Sequence, residues 1–337
     1  SVAITVPVKS KITLLDLFFE LILISSSYDM GSFAILYTLN TAFFLIILSI
    51  KIDIIFVISS INANCKKELF FICNLFNEEK LKFFQNENKV SICINPAQIS
   101  QTCDFIFICV DKTENVNDVI FGKNGIIQNA SKNTIIVDLS TTLADETINF
   151  SKRISAEKGS SWIDAPVSGG PEKALDGSLA IMVGAEQKDL DIISPILKDI
   201  SSNFTHFGPV GSGQIVKMIN QILVLNNYAI LAEALTFAEA WGIDAHKIPN
   251  ALSDGHAGSN LLTHLFPRMI KKDFKPQGYA SQILKDLSMV SKLANQKDIP
   301  IPITSLTKQL FTILTGKSQE NLDGTSIIKL LDKSKTI

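Results

Sequence analysis

A chain of 337 residues, 46% hydrophobic and 19% charged, is long enough for two hydrophobic cores and too apolar for a disordered or fibrous protein. Its 31 basic and 33 acidic residues leave a formal charge of -2, so no net electrostatic pull draws it to nucleic acid or to an anionic membrane. The five cysteines, Cys65, Cys73, Cys93, Cys103 and Cys109, are odd in number, form no CxxC pair and lie far from His206, His246, His256 and His264, so spacing argues against a disulfide framework or a metal site and for a reducing, cytoplasmic compartment.

Residues 12–61 are the most apolar part of the chain and raise the mean hydropathy to +0.26. Residues 33–50 approach the roughly 20 apolar residues a bilayer crossing needs. Thr38, Asn40, Thr41 and Ser49 interrupt them, and no dense basic cluster fixes an orientation. Asp16 and Glu20 likewise break the preceding stretch and argue against a secretory signal. Parallel strands buried on both faces also read as unbroken apolar runs, and the expectation is therefore no membrane. Strands are expected at residues 21–25, at 45–50 or 54–59, and at 91–94, 105–110 and 134–139, with crossover helices over 66–86 and 114–120. That alternation predicts an α/β doubly wound parallel sheet, continued by strands over 161–167 and 180–184.

Beyond His206 the texture changes. Gly208, Gly211 and Gly213 form a junction, after which Ile215, Met218, Ile222, Leu225, Ala229 and Ala232 recur at helical spacing and predict one long buried helix over about 214–241. Residues 245–253, 259–270, 280–296 and 305–314 also read as helices, punctuated by Gly255, Gly258, Pro276 and Pro300. The expected organisation is an α/β domain over residues 1–208 and an all-α domain over 209–337, joined by the long interdomain helix.

Two stretches carry chemistry. In Asp164-Ala165-Pro166-Val167-Ser168-Gly169-Gly170-Pro171, a hydroxyl beside two glycines at a strand end suits a carboxylate, because small residues let an anion approach backbone N–H groups. An ordinary glycine-rich turn would have the same spacing. In Gly211-Ser212-Gly213-Gln214-Ile215-Val216-Lys217-Met218-Ile219-Asn220-Gln221, Lys217 and Gln221 lie four residues apart and share a helix face. A lysine in an apolar helix is expensive to bury unless it is paired or gives up its proton easily. Burial and a nearby cationic nicotinamide would both lower its pKa toward the range of a general acid or base; a surface lysine laying its stem along the helix is the alternative.

Together these stretches resemble the β-hydroxyacid dehydrogenase family. The likeness runs from about Asn115 to Lys333 and includes Phe121-Gly122-Lys123-Asn124-Gly125-Ile126, Asp138-Leu139-Ser140-Thr141-Thr142, Gly258-Ser259-Asn260, Asp273-Phe274-Lys275-Pro276 and Lys285-Asp286-Leu287. The resemblance implies a Rossmann-like fold, an NAD or NADP cofactor, a small hydroxy-acid substrate and a homodimer or homotetramer. It implies that Ser168, Gly169 and Gly170 hold the substrate carboxylate, that Lys217 moves the hydroxyl proton and that Gln221 holds the substrate one turn on. Ser140, Thr141 and Lys285 would stand near the nicotinamide. The pair Asn220-Gln221 resembles the tartronate semialdehyde and threonate branches more than the 3-hydroxyisobutyrate branch, which favours polyhydroxylated acids.

The resemblance weakens at the phosphate-binding turn. Where G-x-G-x-x-G is usual, this chain has Ser26-Ser27-Tyr28-Asp29-Met30-Gly31, keeping only the last glycine; Met30 and Gly31 are the cofactor contacts implied there. Tyr28 stands where bare backbone is needed, and Asp29 competes with phosphate for a helix N-terminus. The acid expected to take the ribose hydroxyls is missing near Ser49 and Ile50, with Asp53 a weak stand-in, so NAD and NADP are not distinguished. A divergent loop, a lost cofactor site or a corrupted N-terminal reading frame joined to a sound remainder would each produce this pattern. Two functions follow as expectations: a nicotinamide-dependent oxidoreductase, or a cofactor-deficient hydroxy-acid-binding protein.

Overall fold

The computed structural model describes residues 32–39, 42–49, 54–58, 70–73, 91–93, 95–317 and 322–331. The strand expected at 21–25, the turn at 26–31 with Met30 and Gly31, and Asp53 lie outside the described residues.

The first half of the chain builds a sheet. Its strands are β3 (Ile54–Ile58), β4 (Phe70–Cys73), β5 (Ser91–Ile92), β6 (Phe105–Cys109), β7 (Ile135–Asp138), β8 (Ser161–Asp164), β10 (Leu179–Gly184) and β11 (Ser201–Gly208), in the order β11-β10-β8-β7-β6-β3-β4-β5, with the short β9 (Val167–Ser168) paired to β10. Among the described residues five α-helices are interleaved: α1 (Pro96–Thr102), α2 (Thr113–Phe121), α3 (Ala144–Lys158), α4 (Gly170–Leu175) and α5 (Gln187–Ile200). A strand sends alternate side chains to opposite faces, and β6 does so with apolar residues on both. Phe105 and Phe107 join Val137, Ile163 and Val183 under α5, which contributes Leu190, Ile193 and Leu197. Ile106 and Ile108 join Ile136 and Trp162 under α1, α2 and α3 through Ile99, Val116, Ile120, Phe150 and Ile154. Helices on both faces make the sheet doubly wound, as the unbroken apolar runs predict.

Direction departs from the expectation at β3 and β10. β6, β7 and β8 run parallel, but β3 is antiparallel to both β4 and β6, and β10 is antiparallel to β8 and parallel to β11. Periodicity reports which faces are buried and says nothing of direction. The crossover helix expected over 66–86 is replaced in part by β4, which an antiparallel neighbour can reach without a crossover. The stretch weighed as a membrane span is a hairpin of β1 (Ser32–Leu39) and β2 (Ala42–Ser49), with Leu39 opposite Ala42. β11 escaped the pattern because an edge strand tolerates polar residues such as Asn203 and Thr205 on its outer side.

The second half is helical. α6 (Ser212–Ala240) is followed by α7 (Ile248–Leu252), α8 (Asn260–Ile270), α9 (Ala280–Asn295) and α10 (Pro302–Lys317). Among the described residues, α6 alone is long and apolar enough to cross a membrane. One face of it packs into a core, where Leu225, Ala229, Ala232 and Leu235 meet Phe266, Leu287 and Phe311, while Ile219, Leu223, Ile230 and Phe237 on the other side are exposed. Buried Arg268 closes this half by donating to Asp323 Oδ1 at 3.2 Å and to the Lys275 carbonyl at 2.6 Å, while Asp323 Oδ2 accepts the Gln277 and Gly278 N–H groups at 2.7 and 2.9 Å.

Candidate functional site

The site forms where the carboxyl ends of β7 and β8 meet the start of α6. Asp138 and Asp164 end neighbouring strands in the same register. Asp164 accepts the Gly211 N–H at 2.7 Å on Oδ1 and the Gln214 N–H at 2.9 Å on Oδ2, which caps α6 from another element. Gly213 allows the approach, because a Cβ there would stand 2.3 Å from the Met182 carbonyl oxygen. Burial raises the Asp164 carboxyl to about 6 against the lowering effect of these N–H groups.

α6 then presents Gln214, Lys217 and Gln221, spaced three and four residues apart and all buried, on one face. Lys217 is no surface lysine. Its Nζ donates to the Val167 carbonyl at 2.8 Å, beside Ser168. Burial lowers its pKa to about 8; the Asp286 carboxylate opposes that shift and Lys285 adds to it. Ser168 Oγ donates to Asn220 Oδ1 at 3.3 Å, so serine and lysine converge through adjacent positions of β9 and one turn of α6. Gly169 and Gly170 have φ of +131° and +72°, and a Cβ on Gly170 would meet nothing within 4 Å. This turn is exposed backbone of the kind an anion can approach.

Gln221 is held rather than loose. Its Nε2 donates to Asp286 Oδ2 at 2.5 Å and its Oε1 accepts from Asn220 Nδ2 at 2.8 Å. Lys285, from α9, donates to the Asp111 carbonyl after β6 at 2.7 Å and stands 3.3 Å from Asp286 Oδ1, bridging the helical half to the sheet. The loop after β7 is equally fixed. The Ser140 N–H donates to Asp138 Oδ1 at 2.9 Å, Ser140 Oγ accepts the Val110 N–H at 2.9 Å, and the Thr142 hydroxyl donates to Asp138 Oδ2 at 3.1 Å. Thr141, half-buried between them, makes no hydrogen bond among the described residues. The Thr141 hydroxyl and the Lys285 ammonium, the latter held on the Asp111 carbonyl, are groups of the kind that would hold the polar edge of a nicotinamide. No group of three or more His, Cys, Asp and Glu among the described residues is placed to hold a metal ion.

Sequence reasoning gave no role to Asp138, Asp164, Gln214 and Asp286, and read Asn220 only for substrate preference. A signal existed for the first two, since Ile135-Ile136-Val137-Asp138 and Trp162-Ile163-Asp164 are apolar runs that each close on a carboxylate. Burial pushes Asp138 up to about 7, against hydrogen bonds from Ser140 and Thr142. A carboxyl raised in the fold stabilises most below its unfolded pKa and loses that contribution as pH rises through its folded value. Asp138→Asn keeps an acceptor for Ser140 and stays neutral. It is expected to raise stability at pH 8 by on the order of 2 kcal/mol, with the gain shrinking as pH falls toward 4, read by urea unfolding at each pH.

Residues 63–208 match the family described as the NAD binding domain of 6-phosphogluconate dehydrogenase, and residues 211–331 match that described as the NAD-binding domain of NADP-dependent 3-hydroxyisobutyrate dehydrogenase. The chain is 34% identical over 235 residues to the 2-hydroxy-3-oxopropionate reductase of Escherichia coli, covering 70% of this chain and 80% of that one. It is 31% identical over 247 residues to a probable mitochondrial 3-hydroxyisobutyrate dehydrogenase-like protein of Arabidopsis thaliana, covering 72% and 74%. The crystal structure of 3-hydroxyisobutyrate dehydrogenase from Salmonella typhimurium shares the fold, with a TM-score of 0.69 at 22% identity over 75% of this chain and 88% of that one. With both halves matched in order and relatives similar along most of their length, the chain belongs to the β-hydroxyacid dehydrogenase family of NAD(P)-dependent oxidoreductases.

Proposed function

We propose that this oxidoreductase moves a hydride between NAD or NADP and a small hydroxy acid or its semialdehyde, of the 3-hydroxyisobutyrate, tartronate semialdehyde/glycerate or threonate type, with Lys217 as the proton-transfer residue. The observation that carries the reading is the buried Lys217 ammonium, its pKa lowered to about 8, beside the Ser168-Gly169-Gly170 turn. The nicotinamide supplies or takes the hydride. Ser168 and the backbone of Gly169 and Gly170 bind the substrate carboxylate, which fixes the reacting carbon. In reduction the Lys217 ammonium gives its proton to the carbonyl oxygen; in oxidation the neutral amine takes the hydroxyl proton. Gln221, held by Asn220 and Asp286, presents its remaining amide capacity to a substrate hydroxyl. Ser140, Thr141 and Lys285 line the nicotinamide end, and Met30 and Gly31 belong to the phosphate-binding turn.

The division into residues 1–208 and 209–337 is part of this reading, supported by family matches that meet between residues 208 and 211. So are the cytoplasmic location, to which the unpaired thiol of buried Cys93 is suited, and action as a homodimer or homotetramer without nucleic-acid or membrane partners.

The test is a fluorescence titration of the chain and of Tyr28→Gly with NADH and NADPH, followed by kcat/KM on glycerate, threonate and 3-hydroxyisobutyrate. Saturable binding by the parent and faster turnover of the polyhydroxylated acids are expected. Preference for 3-hydroxyisobutyrate would remove the branch drawn from Asn220-Gln221. Binding by Tyr28→Gly alone would replace the catalytic reading with that of a cofactor-deficient hydroxy-acid-binding protein.

A further inference from the structure

Gln214 lies fully buried in the first turn of α6, and its side-chain amide reaches the loop after β7 with both ends. Oε1 accepts the Thr142 N–H at 3.0 Å and Nε2 donates to the Ser140 carbonyl at 2.8 Å. These two contacts straddle Thr141, pairing with the backbone on either side of it much as a neighbouring strand would. The backbone N–H of Gln214 is itself held by Asp164. Three residues further along the same helix face, Lys217 leaves toward the Val167 carbonyl.

One rigid turn therefore grips the loop that carries Thr141 and also holds the amine. The other hydrogen bonds on that loop come from the sheet half, from Asp138, the Val110 N–H, and Thr147, whose hydroxyl lies 2.9 Å from that of Thr142, while Leu143 adds an apolar contact with the cluster of Met218, Met289 and Val290. Gln214 ties the loop to the helix of Lys217. We propose that Gln214 is a positioning residue, one that fixes where the Thr141 hydroxyl, and the nicotinamide edge resting against it, stand relative to the Lys217 Nζ. The proposal rests on the dehydrogenase reading. Hydride and proton transfer must be aligned at once, and a misplacement of about 1 Å costs on the order of a hundredfold in rate.

Gln214→Met keeps the side-chain volume and removes both contacts; Thr141→Val keeps the loop ties and removes the hydroxyl. Hydrogen exchange over residues 138–147 of the cofactor-free chain is expected to be about tenfold faster in Gln214→Met, and unchanged in Thr141→Val and over residues 218–232. In turnover with 4-deuterated reduced cofactor, both variants are expected to lose about 10- to 100-fold in kcat. Their primary deuterium isotope effect should be larger than the parent's, and KM for the hydroxy acid should stay within about threefold. Unaltered exchange in Gln214→Met overturns the proposal. So does an active parent whose kcat and isotope effect survive either substitution. A parent that neither binds cofactor nor turns over substrate fails the dehydrogenase reading instead, and the exchange result then decides by itself whether Gln214 holds the loop.

Discussion

Lys217→Ala is expected to lower kcat/KM by about 10²- to 10⁴-fold, the usual worth of a positioned general acid or base, while leaving cofactor binding within about twofold of the parent. The direction of the reaction fixes the pH profile of the parent. Reduction needs the ammonium, so its kcat/KM should fall as pH rises through about 8; oxidation needs the free amine and should rise through the same value. Both breaks should vanish in the alanine variant. A residual profile with the same break would assign the proton to another group.

The same lysine carries a stability cost. Its folded pKa is depressed from 10.5 to about 8 by burial, so the folded chain releases the proton at a lower pH than the unfolded chain does. Stability from this group is present above 10.5 and is lost as pH falls through about 8. Lys217→Met should therefore improve Tm relative to the parent more at pH 7 than at pH 10, where the folded parent is already neutral at this position. Gain of stability with loss of turnover is the signature of a charge kept buried for its chemistry.

Gly213→Ala carries the largest expected effect on folding. The added Cβ would stand 2.3 Å from the Met182 carbonyl oxygen and 2.8 Å from both the Asp164 carbonyl and its Oδ2. Two of those atoms are backbone of β8 and β10, so α6 must move off the sheet and lose the Asp164 cap. A cost of about 3 kcal/mol or more in urea unfolding is expected, with kcat falling further than stability explains, because Lys217 moves with the helix. Gly316→Ala is the control. In α10 a Cβ there meets nothing within 4 Å, and the change should lie within about 1 kcal/mol of the parent. Equal effects from the two substitutions would remove the close approach as the cause.

Much of this site was written locally. The spacing of Lys217 and Gln221 is a property of any α-helix, and the glycines beside Ser168 announce a backbone that an anion can reach. What was hidden is the set of groups that hold these residues still. Asp286 reaches Gln221 across 65 positions of sequence and Gln214 reaches Ser140 across 74. Periodicity describes one element at a time and has no term for such pairs. Asn220 is a case between the two: it was read for what kind of acid the site prefers, whereas the structure has it accepting from Ser168 and donating to Gln221.

The sequence by itself determined that apolar runs of strand length would be buried on both faces under helices, that a long apolar helix would follow residue 208, and that Ser168 and Lys217 would converge. Tertiary structure alone decided the antiparallel course of β3, the capping of α6 by Asp164, and the lowered pKa of Lys217. Burial patterns and backbone preferences act within a few residues and are legible as they stand. Strand direction, capping across elements and the electrostatics of buried groups arise from residues far apart in the chain, and they exist only once folding has brought those residues within a few ångströms.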